Sequence, residues 1–208
     1  DPLWSRGLGD VYKRQLSGRR LDLMDPSPLD IELADIAHGL ARVARWNGQT
    51  TGEHAFSVAQ HSLVVEQLAA ATGKDARWQL AALLHDAPEY VIGDMISPFK
   101  SVLGAGYKTI ENRLQRAIHL RFGLPADLPP ATARLVKRAD KLSAYYEATL
   151  LAGFTVQEAE ALFCRPDGAT VDPYLLRPLP AAEVEALYID RFSALDTLAK
   201  GAAVPVSS

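Results

Sequence analysis

Residues 79–89 read QLAALLHDAPE. Around this stretch Trp78, Leu80, Ala81 and Leu84 recur at helical spacing, and Asp75 stands where an N-cap belongs. A helix is therefore predicted over Asp75–Val91, and its apolar face runs into His85 and Asp86. Neighbouring positions on a helix diverge by about 100°, so the pair reaches one point only where the backbone or a long rotamer helps. An imidazole nitrogen beside a carboxylate oxygen suits Zn, Mn, Fe or Co. The ordinary alternative is a buried histidine hydrogen-bonded to a helix-end aspartate.

The same periodicity recurs on both sides. Leu33, Ile36, Ala37, Leu40, Val43 and Ala44 predict a helix over Ile31–Trp46, and NGQTTGEH after it reads as a loop. Val58, His61, Val65 and Leu68 mark a helix from about Ser57 to Ala71. GDMISP (93–98) breaks the pattern, and Ile110, Leu114 and Ile118 then define a helix over Gly106–Phe122. Gly123, Pro125 and Pro129–Pro130 form a linker before a helix over Ala131–Leu151, and a last helix covers Ala182–Ala199. No strand run or internal repeat stands out, so the fold expected is all-α. A motif core over 31–151 and a C-terminal wrap over 152–208 make one domain. Residues 1–30 are set apart as an N-terminal extension; DPLWSRGLGDVYKRQLSGRR (1–20) shows neither period, need not be native, and is left out of the site.

An apolar fraction of 48% with 23% charged residues is that of an ordinary globular protein, which excludes a disordered chain. Apolar runs are too short to span a bilayer, and no cleavable leader is evident, so a soluble cytoplasmic protein is expected. Cys164 is the only cysteine, which excludes an intrachain disulfide and a cysteine zinc site. A net charge of -3 announces no broad nucleic-acid face, so an anionic substrate needs positive charge supplied locally.

Candidate chemistry gathers around His85–Asp86. Glu89 lies four residues after His85 and three after Asp86, one turn on along the same face. An acid so placed can do general acid–base work on a water. His61 sits on an apolar stripe and needs a partner there. Asp140, in VKRADKLSAYY, shares its helix with the inner positions Leu135, Leu142 and Tyr146, where a carboxylate without a cation is costly. Lys137, three residues earlier, is placed to pair with Asp140 or to contact phosphate. Two imidazoles and two carboxylates from three separate helices make a pattern that favours one metal over independent coincidences.

Arg45–Trp46, AQHSLVV around His61, LLHDAPEYVIGDMISPFK and VKRADKLSAY, in that order, resemble HD-domain phosphohydrolases, and among them the 5′-deoxynucleotidase group. The resemblance covers roughly residues 31–151 and implies an HD-type helical bundle. It implies that His61, His85, Asp86 and Asp140 ligate one divalent transition metal and that Glu89 acts on the nucleophilic water. By the same resemblance Arg45 orients the phosphate, and Trp46 packs near the sugar and disfavours a ribo 2′-OH. The resemblance further implies that Asp94, Met95, Ile96 and Ser97 line the nucleoside pocket and that the protein is a homodimer.

Among the other histidines, His54 precedes His61 by seven residues and is the rival first ligand; the AQHS context and the distance from Arg45–Trp46 favour His61. His119 falls off the Leu114–Ile118 stripe and is predicted to be exposed, which favours a mononuclear site. His38 is read as a partly buried structural residue. The function expected is hydrolysis of deoxyribonucleoside 5′-monophosphates. The alternatives are a deoxynucleoside triphosphate hydrolase, a di-iron oxygenase and a non-catalytic nucleotide-binding module.

Overall fold

In the computed structural model the helical periodicities resolve into α1 (Leu33–Leu40), α2 (Val58–Ala70), α3 (Ala76–Leu83), α4 (Glu89–Ile92), α5 (Ser97–Leu103), α6 (Ala105–Arg121), α7 (Pro130–Leu150), α8 (Val156–Leu162) and α9 (Ala181–Ala202). A small antiparallel hairpin, β1 (Tyr12–Arg14) and β2 (Arg20–Asp22), precedes them. The structure describes residues 12–166 and 168–202, apart from the side chains of residues 97, 98, 101, 105 and 202; residues 1–11 of the N-terminal extension lie outside it. The fold is an all-α bundle, and among the described residues no helix is long and apolar enough to cross a membrane.

Helix α2 is the axis of the bundle. The Ser57 hydroxyl caps it by accepting the Gln60 N–H at 3.2 Å, and every residue from Val58 to Glu66 is buried. A helix buried on all sides needs neighbours on all sides, and α2 packs on α3, α7 and α9. One apolar cluster joins α1, α3, α6 and α9, with Ile36, Leu40, Leu83, Leu114, Ile118 and Leu195 at its centre. A second lies between α2 and α7, through Val64, Val65, Leu68, Val136 and Leu142. His61 occupies the α2 turn between these clusters. Helix α9 is fastened to the bundle by Tyr188, whose hydroxyl donates to the Leu83 carbonyl at 3.1 Å, and by Arg191 against the buried Glu66 at 2.6 Å.

Two predicted helices are shorter than their apolar stripes. The stripe over Ile31–Trp46 stops being helical at Leu40, because Val43–Ala44 runs extended beside Phe56–Val58: the Arg45 N–H reaches the Phe56 carbonyl at 2.8 Å, and the Val58 N–H reaches Val43 at 2.9 Å. Arg45–Gly48 then form a 3-10 turn in which Trp46 and Asn47 adopt positive φ, 56° and 52°. The helix expected over Asp75–Val91 unwinds across Leu84–Pro88 and resumes as α4. Pro88 accounts for the break, since its ring would strike the carbonyl of Leu84 if the helix continued.

The hairpin was not foreseen; strands of three residues are too short to show an alternation. It is packed on the bundle through buried Leu21 and through polar ties: the Ser17 hydroxyl to Asp35 at 2.6 Å, and Lys13 Nζ to the Tyr90 carbonyl at 2.8 Å. Tyr90 is also where α1 and α4 come closest. A Cβ at Gly39 would lie 2.8 Å from Tyr90 Cβ and 3.3 Å from its Cα, so only glycine permits this approach. Gly39→Ala should therefore lower stability by about 1–3 kcal/mol despite alanine's better helix propensity, as a drop in the urea midpoint. An unchanged or higher midpoint would show that the two helices separate freely.

Candidate active site

Unwinding at Leu84–Pro88 is what lets His85 and Asp86 face one point. His85 Nε2 lies 3.1 Å from Asp86 Oδ2. From α2, His61 Nε2 lies 3.2 Å from His85 Nε2 and 3.5 Å from Asp86 Oδ2. From α7, Asp140 Oδ1 stands 3.5 Å from His61 Nε2. Thus α2 and the turn after α3 bring two imidazoles and one carboxylate together, and α7 sets the Asp140 carboxylate beside His61. His61, His85 and Asp86 each offer a ligand atom within 4.8 Å of the others.

The hydrogen bonds behind these rings bear on what they can hold. His85 Nδ1 donates to the Ala82 carbonyl at 2.9 Å, and His61 Nδ1 donates to Glu147 Oε1 at 2.5 Å. With Nδ1 so engaged, the two rings turn their Nε2 atoms toward one another, flanked by carboxylate oxygens. Three side chains turned on one point, with Asp140 beside His61, are a cation's surroundings, and the backing of each histidine by an outer acceptor is the usual support of a metal ligand. Burial and the Arg45 charge both oppose a charged His61, yet Glu147, Asp140 and Asp86 outweigh them and hold its pKa well above the ordinary imidazole value. The cluster calls for positive charge, and the donor set fits a divalent transition metal.

Glu89, at the start of α4, is 3% exposed. Its Oε1 accepts from Lys100 Nζ at 3.4 Å, while its buried Oε2 has no hydrogen-bond partner among the described residues. Lys100 also reaches Glu111 Oε1 at 3.3 Å. Burial first, then the Asp86 and Asp94 carboxylates, push the Glu89 carboxyl up to about 9, against the opposing charges of Lys100 and Arg45.

Arg45 is held by Asp94 Oδ2 at 3.2 Å and Glu147 Oε2 at 3.3 Å. The Trp46 indole N–H donates to the same Glu147 oxygen at 2.9 Å, and its ring packs on Phe154 and Phe163 with centroids 5.6 and 6.1 Å away. Lys137 pairs with Asp140 Oδ2 at 2.8 Å and is otherwise largely exposed. Met95 is half-buried and Ile96 exposed; neither joins the hydrogen-bonded cluster, and the Ser97 side chain lies outside the described residues.

The remaining histidines separate clearly. His54 lines a different cavity, with Tyr146, Tyr174 and Arg177 on its walls. His38 pairs with Glu185 of α9 at 3.2 Å. His119 corrects the expectation that it is exposed: it is 3% exposed, and its surroundings include Gln115 at 2.6 Å and the Ala126 carbonyl at 3.2 Å. The stripe on α6 could not reveal this, because the cover comes from the chain after the helix, which folds back so that the Leu124 N–H meets the His119 carbonyl at 2.9 Å. Burial accordingly lowers the His119 pKa. His119 shares a cavity of about 270 Å³ with His85, Asp86 and Asp140, so its supposed exposure no longer argues for a single metal.

Glu147 and Ser143 escaped the sequence reading. Asp140, Ser143 and Glu147 follow one another at steps of three and four on α7, which was the available signal.

A family model described as 5′-deoxynucleotidase YfbR-like matches residues 33–152. Over 187 residues the chain is 56% identical to an uncharacterized protein of Rhodobacter capsulatus, an alignment that covers 89% of this chain and 95% of that protein. The matched span begins with α1 and ends just past α7, more than half of the sequence, and by it the chain belongs to the YfbR-like 5′-deoxynucleotidase family of HD-domain phosphohydrolases.

Proposed function

We propose that this protein hydrolyses deoxyribonucleoside 5′-monophosphates to deoxynucleoside and phosphate with the help of one divalent transition metal (Co, Mn, Zn or Fe). The observation that carries the proposal is the facing of the His61 and His85 Nε2 atoms, 3.2 Å apart, beside Asp86 and Asp140. In this reading His61, His85, Asp86 and Asp140 hold the metal. A divalent ion bound there polarises a phosphoryl oxygen and lowers the pKa of a nearby water.

The chain's own groups do the rest. Glu89 takes a proton from the attacking water as its oxygen bonds to phosphorus, and passes a proton to O5′ as the P–O5′ bond breaks. Its Oε2, without a hydrogen-bond partner among the described residues, is the atom to do so. Arg45, kept in place by Asp94 and Glu147, offsets charge on the phosphoryl oxygens. Trp46 stands against the sugar, with Asp94 through Ser97 toward the nucleoside, and Lys137 is a secondary phosphate contact. We further propose that the enzyme works in the cytoplasm as a homodimer on free nucleotides, not on nucleic acid.

A screen of 5′-nucleotides with added Mn, Co or Zn, reading released phosphate, tests this. Deoxyribonucleoside monophosphates should turn over, with the ribo forms slower by on the order of 10- to 100-fold. Release of tripolyphosphate from deoxynucleoside triphosphates, with monophosphates inert, would replace this reading by the triphosphate one.

A further inference from the structure

We infer that Glu147 is a positioning residue that couples the two halves of the site, so that a single carboxylate sets both metal affinity and nucleotide affinity. The inference rests on the deoxynucleotidase reading above but assigns a role to a residue outside its metal ligands and substrate contacts.

Glu147 is fully buried near the C-terminal end of α7, two turns beyond Asp140. An ionised carboxylate offers about four lone-pair positions. Here four donors take them: the His61 Nδ1–H at 2.5 Å and the Ser143 hydroxyl at 2.7 Å on Oε1, the Trp46 indole N–H at 2.9 Å and the Arg45 Nε–H at 3.3 Å on Oε2. One oxygen serves the metal side and the other serves the substrate side. Because both belong to one rigid planar group, a displacement of either pair of donors is passed to the other.

Each bond does something definite. The bond to His61 keeps a hydrogen on Nδ1 and fixes the ring so that Nε2 faces His85, Asp86 and Asp140. The bonds to Arg45 and Trp46 hold a turn that local preference does not favour. Trp46 and Asn47 stand consecutively in the left-handed region, sparsely populated by residues that carry a side chain. The surroundings must impose that conformation, and Glu147, Phe154 and Phe163 are among what Trp46 touches. A carboxylate serving only to balance the charge of Arg45 would have no need to meet the indole N–H and the imidazole as well.

The test uses the full chain, stripped of metal with EDTA and titrated calorimetrically with Mn²⁺, alongside steady-state kinetics on 2′-deoxyadenosine 5′-monophosphate. Glu147→Gln keeps the shape but replaces one acceptor oxygen by an NH₂ group. It should weaken Mn²⁺ binding by about 10- to 100-fold and raise KM at saturating Mn²⁺ by about tenfold. The far-downfield proton resonance expected of the His61 Nδ1–H should move or vanish as well. If both constants stay within about twofold of wild type in a folded variant, or if only one moves, the coupling is refuted. Should Glu147→Gln fail to fold, Ser143→Ala removes a single donor from Oε1. It should shift Mn²⁺ affinity and KM in the same direction by about threefold or more, and no shift in either overturns the inference. Wild-type protein that neither binds Mn²⁺ nor releases phosphate would sink the functional reading and this inference together. An active wild type with an unaffected Glu147→Gln sinks the inference alone.

Discussion

Glu89→Gln should abolish most of the turnover, by about 10²- to 10⁴-fold in kcat, while the protein keeps its metal. The substitution preserves volume and leaves the cluster of His61, His85, Asp86 and Asp140 untouched. What it removes is a group able to take and return a proton. The site around Glu89 is built for such a group: it is 3% exposed, with one oxygen against Lys100 and the other without a hydrogen-bond partner among the described residues. A buried acceptor with no hydrogen bond is costly unless something else uses it. Burial and the carboxylates of Asp86 and Asp94 push its pKa up to about 9, so near neutrality it holds its proton until positive charge arrives beside Asp86. Such a charge lowers the value again and frees the carboxylate to act as a base. Metal content by elemental analysis, read beside kcat, decides the matter. Turnover within about tenfold of wild type would remove Glu89 from the proton path.

What the sequence disclosed follows from the range of the forces involved. Helix stripes are local, and those under α2, α6, α7 and α9 survive in the structure with ends moved by a few residues. Glu89 entered the reading by its offset from His85 and Asp86 on one expected helix; in the structure that helix unwinds across Leu84–Pro88 and Glu89 instead opens α4. The Arg45–Trp46 turn was not, since it depends on Ala44 pairing with Ser57, a contact that no stripe encodes. Glu147 was missed for a similar reason: its donors come from the residue-45 turn, from α2 and from its own helix. A glutamate among helix polar residues looks ordinary until those elements are brought together. His119 was misjudged because its cover is the loop after α6, not a face of α6 itself.

Asp86→Ala should lose metal and activity together, and the loss should be visible without any assay of catalysis. Among the described residues Asp86 is the one carboxylate that approaches both imidazoles, its Oδ2 lying 3.1 Å from His85 Nε2 and 3.5 Å from His61 Nε2. Outer-shell partners of a metal ligand are worth about 10- to 100-fold in affinity, so removing a ligand itself should exceed that range. Metal bound to the folded state alone stabilises it by mass action, about 2.7 kcal/mol at a hundred times Kd. For a chain of this length that corresponds to a rise in Tm of roughly 5–10 °C. Wild type should show this rise with added Mn²⁺, and Glu89→Gln should show it equally. Asp86→Ala should show almost none at the same concentration, and its phosphate release should fall to background. The contrast between the two variants separates holding the metal from handling the proton, since Asp86 lies in the turn after α3 and Glu89 opens α4 directly after it, and either could lose activity for trivial reasons. If Asp86→Ala kept the full Mn²⁺-dependent rise, the ion would be held elsewhere, and the roles given to His61, His85 and Asp140 would have to be abandoned with it.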